Sequence, residues 1–215
     1  MLSRRDTVVF DLDGTLLDTI DDLTRSLNHV LGQHGFPERT MTEVRDFIGN
    51  GAARLMELSI PHGLGNPLFA LCLSKFRAHY AENTRDTRPY PGIMELLARL
   101  SEEGFRLAIV SNKPDAAVKA LSRAWFGALI GVAIGESDKV PKKPDPAMVY
   151  MALKAMRAEP GCCAYVGDSE VDVQTARNAG ISFVGVTWGY RDRETLLRSG
   201  ADILIDSPGE LTGVL

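Results

Sequence analysis

The chain has 215 residues, 45% hydrophobic and 24% charged, with a formal net charge of −4. That length holds one large domain, or a core with a small satellite, at ordinary globular composition. No basic run points to nucleic acid, and no apolar stretch reaches the length that spans a bilayer. The three cysteines, Cys72, Cys162 and Cys163, form no CxxC pair and exclude a disulfide framework or a zinc site. Met1 to Thr7 is polar and the apolar run behind it is too short for a secretory signal, so a cytoplasmic protein is expected.

Val8-Val9-Phe10 reads as a first strand buried on both faces. From Thr19 to Arg88 the pattern is helical, with no convincing strand. Ile20, Leu23, Leu27, Val30 and Leu31 form a stripe stopped by Gly35. Thr40-Met41-Thr42-Glu43 is a capping box opening a helix through Ile48. Gly49-Asn50-Gly51 breaks it, Ala52 to Ile60 follows, and a last helix carries Phe69, Leu73, Phe76 and Tyr80 on one face. At Pro89-Tyr90-Pro91-Gly92 the pattern changes. A helix over Ile93 to Leu100 precedes a strand from Phe105 to Val110. After a helix behind Pro114 and a strand near Val132 to Ile134, Asp145 to Met156 is helical. Cys163 to Val166, Val171 to Ala179, Phe183 to Val186, Glu194 to Leu197 and Ile203 to Ile205 then alternate strand and helix. That alternation predicts an α/β fold, a Rossmann-like parallel sheet with helices on both faces. Residues 1–18 and 89–215 are expected to form this core, and residues 19–88 an inserted all-helical domain.

An open parallel sheet presents its ligand site at the carboxyl ends of its strands. The first strand ends in Asp11-Leu12-Asp13-Gly14. Two adjacent carboxylates repel unless one is protonated or a cation lies between them, and a hard cation such as Mg²⁺ takes oxygen ligands. A metal-assisted carboxylate nucleophile is the chemistry that fits. The second strand ends in Ser111-Asn112-Lys113, and Ser111-Asn112 alone could serve as a helix cap. Lys142-Lys143-Pro144-Asp145-Pro146 precedes a helix, and the strand after it ends in Gly167-Asp168-Ser169-Glu170-Val171-Asp172. Hydroxyl, lysine and further acids in this order at strand ends point to one anion-handling site.

Asp-Leu-Asp-Gly-Thr-Leu-Leu-Asp-Thr, Asp11 to Thr19, resembles the signature of the haloacid dehalogenase superfamily of phosphotransferases. The other three stations match that superfamily's later motifs in order, so the resemblance covers nearly the whole chain. Phe47-Ile48-Gly49-Asn50-Gly51-Ala52 and Arg88-Pro89-Tyr90-Pro91-Gly92 are most similar to the phosphoglycolate phosphatases. The resemblance implies a helical cap inserted after the first motif, and a Mg²⁺-dependent phosphatase acting on a small phosphate ester. Asp11 would be the nucleophile, forming an aspartyl-phosphate. Asp13 would be the general acid and base. Mg²⁺ would be held by the Asp11 and Asp168 carboxylates and the Asp13 backbone carbonyl. Asp172 would orient Lys143 or a metal-bound water. Lys143, chosen over Lys142 from the family's Lys-Pro-x-Pro spacing, would pair with the phosphoryl group. Ser111, Asn112, Gly14 and Thr15 would contact the substrate in the core. Asn50, Gly51 and Arg54 would contact it from the cap, with Arg54 gripping a substrate carboxylate.

Other branches fit less well. The dehalogenases lack the second aspartate, which here is Asp13. The phosphonatases need a cap lysine for a Schiff base, and the first lysine is Lys75, past the first cap helix. The mutases carry a histidine early in the cap, whereas Thr19 to Asn28 holds none. His29, His34, His62 and His79 read as ordinary helix and loop residues. A non-catalytic binding module on the same fold has no need for Asp11, Asp13, Lys143 and Asp168 together.

Overall fold

The run Thr7–Phe10 forms β1, and in the computed structural model of the chain, which describes residues 5–215, all four of its residues are buried. The first four residues of the polar start lie outside the described residues. The chain divides into two units, Met1–Leu17 with Pro89–Leu215, and Asp18–Arg88. In chain order β1 is followed by β2 (Leu17–Asp18), α1 (Ile20–Gln33), α2 (Met41–Phe47), α3 (Ala52–Ser59), α4 (Phe69–Glu82) and β3 (Arg88–Pro89). Then come α5 (Ile93–Glu102), β4 (Arg106–Pro114), α6 (Asp115–Trp125), β5 (Val132–Glu136) and α7 (Ala147–Met156). The chain finishes with β6 (Cys163–Gly167), α8 (Glu170–Ala179), β7 (Ser182–Val186), α9 (Arg193–Arg198) and β8 (Leu204–Ile205).

Six strands form one sheet in the order β5-β4-β1-β6-β7-β8, every pairing parallel. Strand alternation explains the two covered faces. Val8 and Phe10 join Leu107 and Ile109 in a core with Leu96, Leu97 and Leu100 of α5 and Val118 of α6. Val9 joins Ala108 and Val110 on the opposite face, with Met148, Val149 and Ala152 of α7 and Ala176 of α8. The chain runs outward from β1 through β4 to β5, then crosses back to β6 on the other side of β1. The carboxyl end of β1 is therefore the point where strand order reverses, the crevice that open α/β sheets use for ligands.

The second unit holds α1 to α4. In α2 the capping box is complete: Thr40 Oγ1 accepts from Glu43 N–H, and Glu43 accepts from Thr40 N–H. In α4 the buried residues are Cys72, Phe76 and Tyr80, a stripe one step from the expected Phe69 and Leu73, which are half-buried. The expected absence of strands also needs an amendment. Leu17–Asp18 pairs with Arg88–Pro89 where the helical segment leaves and returns, and two residues are too few to carry a period. Two boundaries differ as well. β4 continues to Pro114 through an irregularity after Val110, because Pro114 still pairs with Glu136. α7 begins at Ala147, with Pro146 at its N-cap and Asp145 Oδ1 accepting from Ala147 N–H just ahead of the helix.

Candidate active site

Asp11 follows the last residue of β1, and its N–H still bonds to Val166 O at 2.9 Å, so the sheet itself fixes its backbone. Gly14 has φ +83°, where a side chain is strained. A Cβ there would also strike the Asp168 carboxylate and the Tyr190 ring. The turn closes on Leu12 O, which accepts from Leu16 and Leu17 N–H at 3.0 and 2.9 Å. Asp168 and Asp172 stand at the end of β6 and in the first turn of α8. A Cβ on Gly167 would collide with Asp172, so glycine permits that approach.

Carboxylate oxygens of Asp11, Asp168 and Asp172 lie within 4.8 Å of one another, and all three residues are buried. Lys143, 2% exposed, is the ammonium among them. Its Nζ is 2.8 Å from Asp11 Oδ1 and 2.8 Å from Asp172 Oδ1, and it donates to Tyr165 OH at 3.1 Å. Asp172 is otherwise fully engaged: Oδ2 accepts from Ser169 N–H at 3.1 Å and from Ser169 Oγ at 2.6 Å, a second capping box. Asp168 Oδ1 accepts from Thr15 Oγ1 at 3.1 Å and Oδ2 from Tyr190 N–H at 2.7 Å. Asp11 Oδ1 is buried, and the Lys143 ammonium is its charged neighbour.

Burial dominates the electrostatics. It pushes the Asp11 carboxyl up to about 7, against the pull of Lys143. It also holds the Asp168 carboxyl well above the usual range, with Asp172 and Asp11 adding to the effect. Burial alone would lower the Lys143 ammonium, but Asp11 and Asp172 hold it well above its ordinary value. Three buried carboxylates against one ammonium leave an excess of negative charge, and such charge is costly without a counter-ion. Hard oxygen donors and that excess together suit a small divalent cation.

Of the expected site residues, Asp11, Asp13, Gly14, Thr15, Ser111, Asn112, Lys143, Asp168 and Asp172 all belong to the first unit. The Asn112 amide is engaged with the lysine loop: its Oδ1 accepts from Lys143 N–H at 2.7 Å and its Nδ2 donates to Lys143 O at 3.1 Å. Ser111 Oγ accepts from Lys113 N–H at 3.3 Å, which leaves its own proton to donate. Asn50, Gly51 and Arg54 belong to the helical unit. There Gly51 is the N-cap of α3, and the half-exposed Arg54 pairs with Glu57 at 2.9 Å.

Sequence reasoning passed over three contributors. Lys113 Nζ donates to both oxygens of Asp13, at 2.7 and 2.8 Å. Tyr165 OH lies 3.2 Å from both Val110 O and Asp172 Oδ1, and donates to one of them. The loop after β7 supplies Tyr190 N–H to Asp168, and Trp188 Nε1 donates to Thr15 O at 3.1 Å. Lys113 carried a readable signal, since it stands at i+2 from Ser111. Tyr165 and the loop carried none, because their roles depend on chain returning from far away.

Comparison with known proteins matches residues 8–186 to the family described as haloacid dehalogenase-like hydrolase. "Phosphoglycolate phosphatase 1" of Pseudomonas aeruginosa is 34% identical over 210 residues, 95% of this chain and 77% of that protein. A Vibrio vulnificus phosphoglycolate phosphatase is 34% identical over 216 residues, 97% of this chain and 95% of its own. A solved structure from Lactobacillus delbrueckii subsp. bulgaricus, provisionally named a phosphoglycolate phosphatase, superposes with a TM-score of 0.93. It is 32% identical and covers 98% of both chains.

Proposed function

We propose that this chain, which belongs to the haloacid dehalogenase-like hydrolase family, hydrolyses phosphoglycolate through an aspartyl-phosphate formed on Asp11, with Mg²⁺ as cofactor. The observation that carries the reading is the buried cluster of Asp11, Lys143, Asp168 and Asp172 at the strand-order reversal. The names of the relatives support the substrate. Three cysteines free of disulfides suit a reducing, cytoplasmic setting.

A phosphate monoester is anionic and resists an anionic nucleophile, so catalysis consists of positioning and charge neutralisation. Asp11 attacks phosphorus in line, and the bond to the leaving oxygen breaks as the Asp11 oxygen–phosphorus bond forms. Asp13, as a neutral carboxylic acid, gives its proton to the leaving alkoxide. As a carboxylate it then takes a proton from the water that attacks phosphorus and releases Asp11. Lys143 holds positive charge beside Asp11 and the incoming phosphoryl oxygens. The Ser111 hydroxyl donates to another phosphoryl oxygen. Asp168 and Asp11, with the Asp13 backbone carbonyl, would hold Mg²⁺, since Asp172 is engaged by Lys143, Tyr165 and Ser169. When bound, the cation neutralises phosphoryl charge and offsets repulsion between nucleophile and substrate. Asn112 fixes the backbone that carries Lys143. We assign reading of the group attached to the phosphate to Asn50, Gly51 and Arg54.

The test is orthophosphate release from a panel of phosphate monoesters, with Mg²⁺ and with excess chelator. Phosphoglycolate is expected to show the highest kcat/KM, and chelator to abolish release. No release from any monoester in Mg²⁺ would overturn the reading. Full turnover in chelator would remove the metal from it.

A further inference from the structure

We infer that Lys113 is a positioning residue for Asp13, holding one carboxylate in one place through both proton transfers; this rests on the reading above, in which Asp13 is the acid and base. In-line displacement sets the requirement. With Asp11 on one side of phosphorus, the leaving oxygen departs from the opposite side, and water must later attack from that same side. The group that protonates the first and deprotonates the second therefore serves one location twice. Rate in such a step depends on that group staying within hydrogen-bond reach.

Asp13 must keep its carboxylate at that place through both steps. It sits in the turn beyond β1, its side chain is 14% exposed, and two torsions separate its oxygens from the backbone. Lys113 is the better anchored partner. It lies within β4, the strand beside β1, and its side chain is only 4% exposed. Its ammonium is 2.7 Å from one Asp13 oxygen and 2.8 Å from the other, so both oxygens turn toward one fixed point. The contact to both oxygens anchors the carboxylate end of the side chain against one buried charge.

The two buried lysines divide the site. Lys143 stands against Asp11 and Asp172, and Lys113 against Asp13. A buried ion pair is weak support for stability alone, because desolvation offsets most of the attraction. The pairing makes sense as orientation: each ammonium fixes one of the two aspartates that the reaction must keep apart in role.

The test uses Lys113→Met, Lys113→Arg and Asp13→Asn in Mg²⁺ with substituted phenyl phosphates of graded leaving-group basicity. The measure is the slope of log kcat/KM against leaving-group pKa, with trapping of acid-stable labelled protein alongside. The slope does not depend on how much of a preparation is folded. Misplacing the acid should cost most where the leaving oxygen most needs a proton. Lys113→Met is expected to lower phenyl phosphate at least about tenfold relative to 4-nitrophenyl phosphate, within the range of general acid catalysis. It is also expected to accumulate phosphorylated enzyme, because the same carboxylate activates the water. Lys113→Arg, which keeps a cation, should fall between wild type and Met. A wild-type slope in Lys113→Met beside a steep one in Asp13→Asn would overturn the inference alone. So would a uniform loss across the series with raised KM, which would make Lys113 a substrate ligand. A slope in Lys113→Arg as steep as in Asp13→Asn would exclude a role for the charge. Wild-type slopes in both Lys113→Met and Asp13→Asn would overturn the reading of Asp13 itself.

Discussion

The two units treat buried charge in opposite ways. In the helical unit Asp22 is completely buried, yet every demand of its carboxylate is met. It accepts from Thr87 N–H at 2.7 Å, Thr87 Oγ1 at 2.8 Å and Asp86 N–H at 3.0 Å, and it pairs with Arg25, which also reaches Asp86. At the strand ends of the other unit three buried carboxylates gather around one ammonium, and burial raises Asp11 and Asp168 well above ordinary carboxylates. The first arrangement is what a structural buried charge requires. The second retains a cost that only a ligand or a reaction removes, and perturbed groups of that kind gather at functional sites.

The largest effect should come from breaking the under-compensated side. Asp11→Asn removes the nucleophile, so kcat should fall by at least about 10⁴-fold, as when a nucleophile is deleted elsewhere, and no phosphate should be trapped on the protein. Asp13→Asn keeps the nucleophile and should lose about 10²–10⁴-fold while accumulating labelled enzyme on an aryl phosphate. Covalent phosphate trapped by Asp11→Asn would reverse the two roles.

The next effect is on stability. If a divalent cation completes the charge balance, Mg²⁺ at about a hundredfold excess over its dissociation constant should stabilise the fold by about 2.7 kcal/mol. For a chain of this size that is a rise in Tm of about 5–10 °C. Chelator should reverse it, and Asp168→Asn should abolish the increment. A Tm indifferent to Mg²⁺ in the wild-type protein would count against the site.

The same contrast explains what could be read in advance. The strand–helix alternation announced the parallel sheet, because strands buried on both faces must be nearly continuous apolar runs. Asp11, Asp13 and Asp168 stood out because charged residues behind such runs have no structural reason to be there, whereas Lys143 was legible only through the resemblance to the family's Lys-Pro-x-Pro spacing. Lys113 was visible at the end of the second strand, but its partner was not, because only the parallel pairing of β4 with β1 brings it to Asp13. Tyr165 reads as one more apolar strand residue, and only the fold brings its hydroxyl to Lys143 and Asp172. The helical unit offered stripes, caps and the Asn50, Gly51 and Arg54 candidates but no sign of its buried charge, because a satisfied acid such as Asp22 looks like any helical surface acid until Thr87 returns to it.

Removing the satisfied charge should therefore cost stability without touching the chemistry. Asp22→Ala leaves the Asp86 and Thr87 N–H groups unpaired, a loss of about 1–3 kcal/mol, or about 2–12 °C in Tm. The leaving-group slope should stay at the wild-type value. A changed slope would mean that the helical unit takes part in proton transfer.

The smallest expected effect concerns Arg54, proposed to read a substrate carboxylate. Its guanidinium pairs with Glu57 one helical turn on, and its side chain is 46% exposed. Exposed pairs of this kind contribute little, so giving up Glu57 for a substrate anion costs little. α3 opens on Gly51 at φ +83°, and the positive end of a helix dipole favours an anion there. A guanidinium contact to a carboxylate, once water is excluded, is worth about 2–5 kcal/mol on truncation. Release from Glu57 and residual hydration reduce that figure. Arg54→Ala is therefore expected to lower kcat/KM for phosphoglycolate by about tenfold, equivalent to about 1.4 kcal/mol. An aryl phosphate without the carboxylate should keep its wild-type kcat/KM. Equal losses on both substrates would make Arg54 a general contributor. No loss on either would remove it as the reader and leave Asn50 and the α3 amides to be tested next.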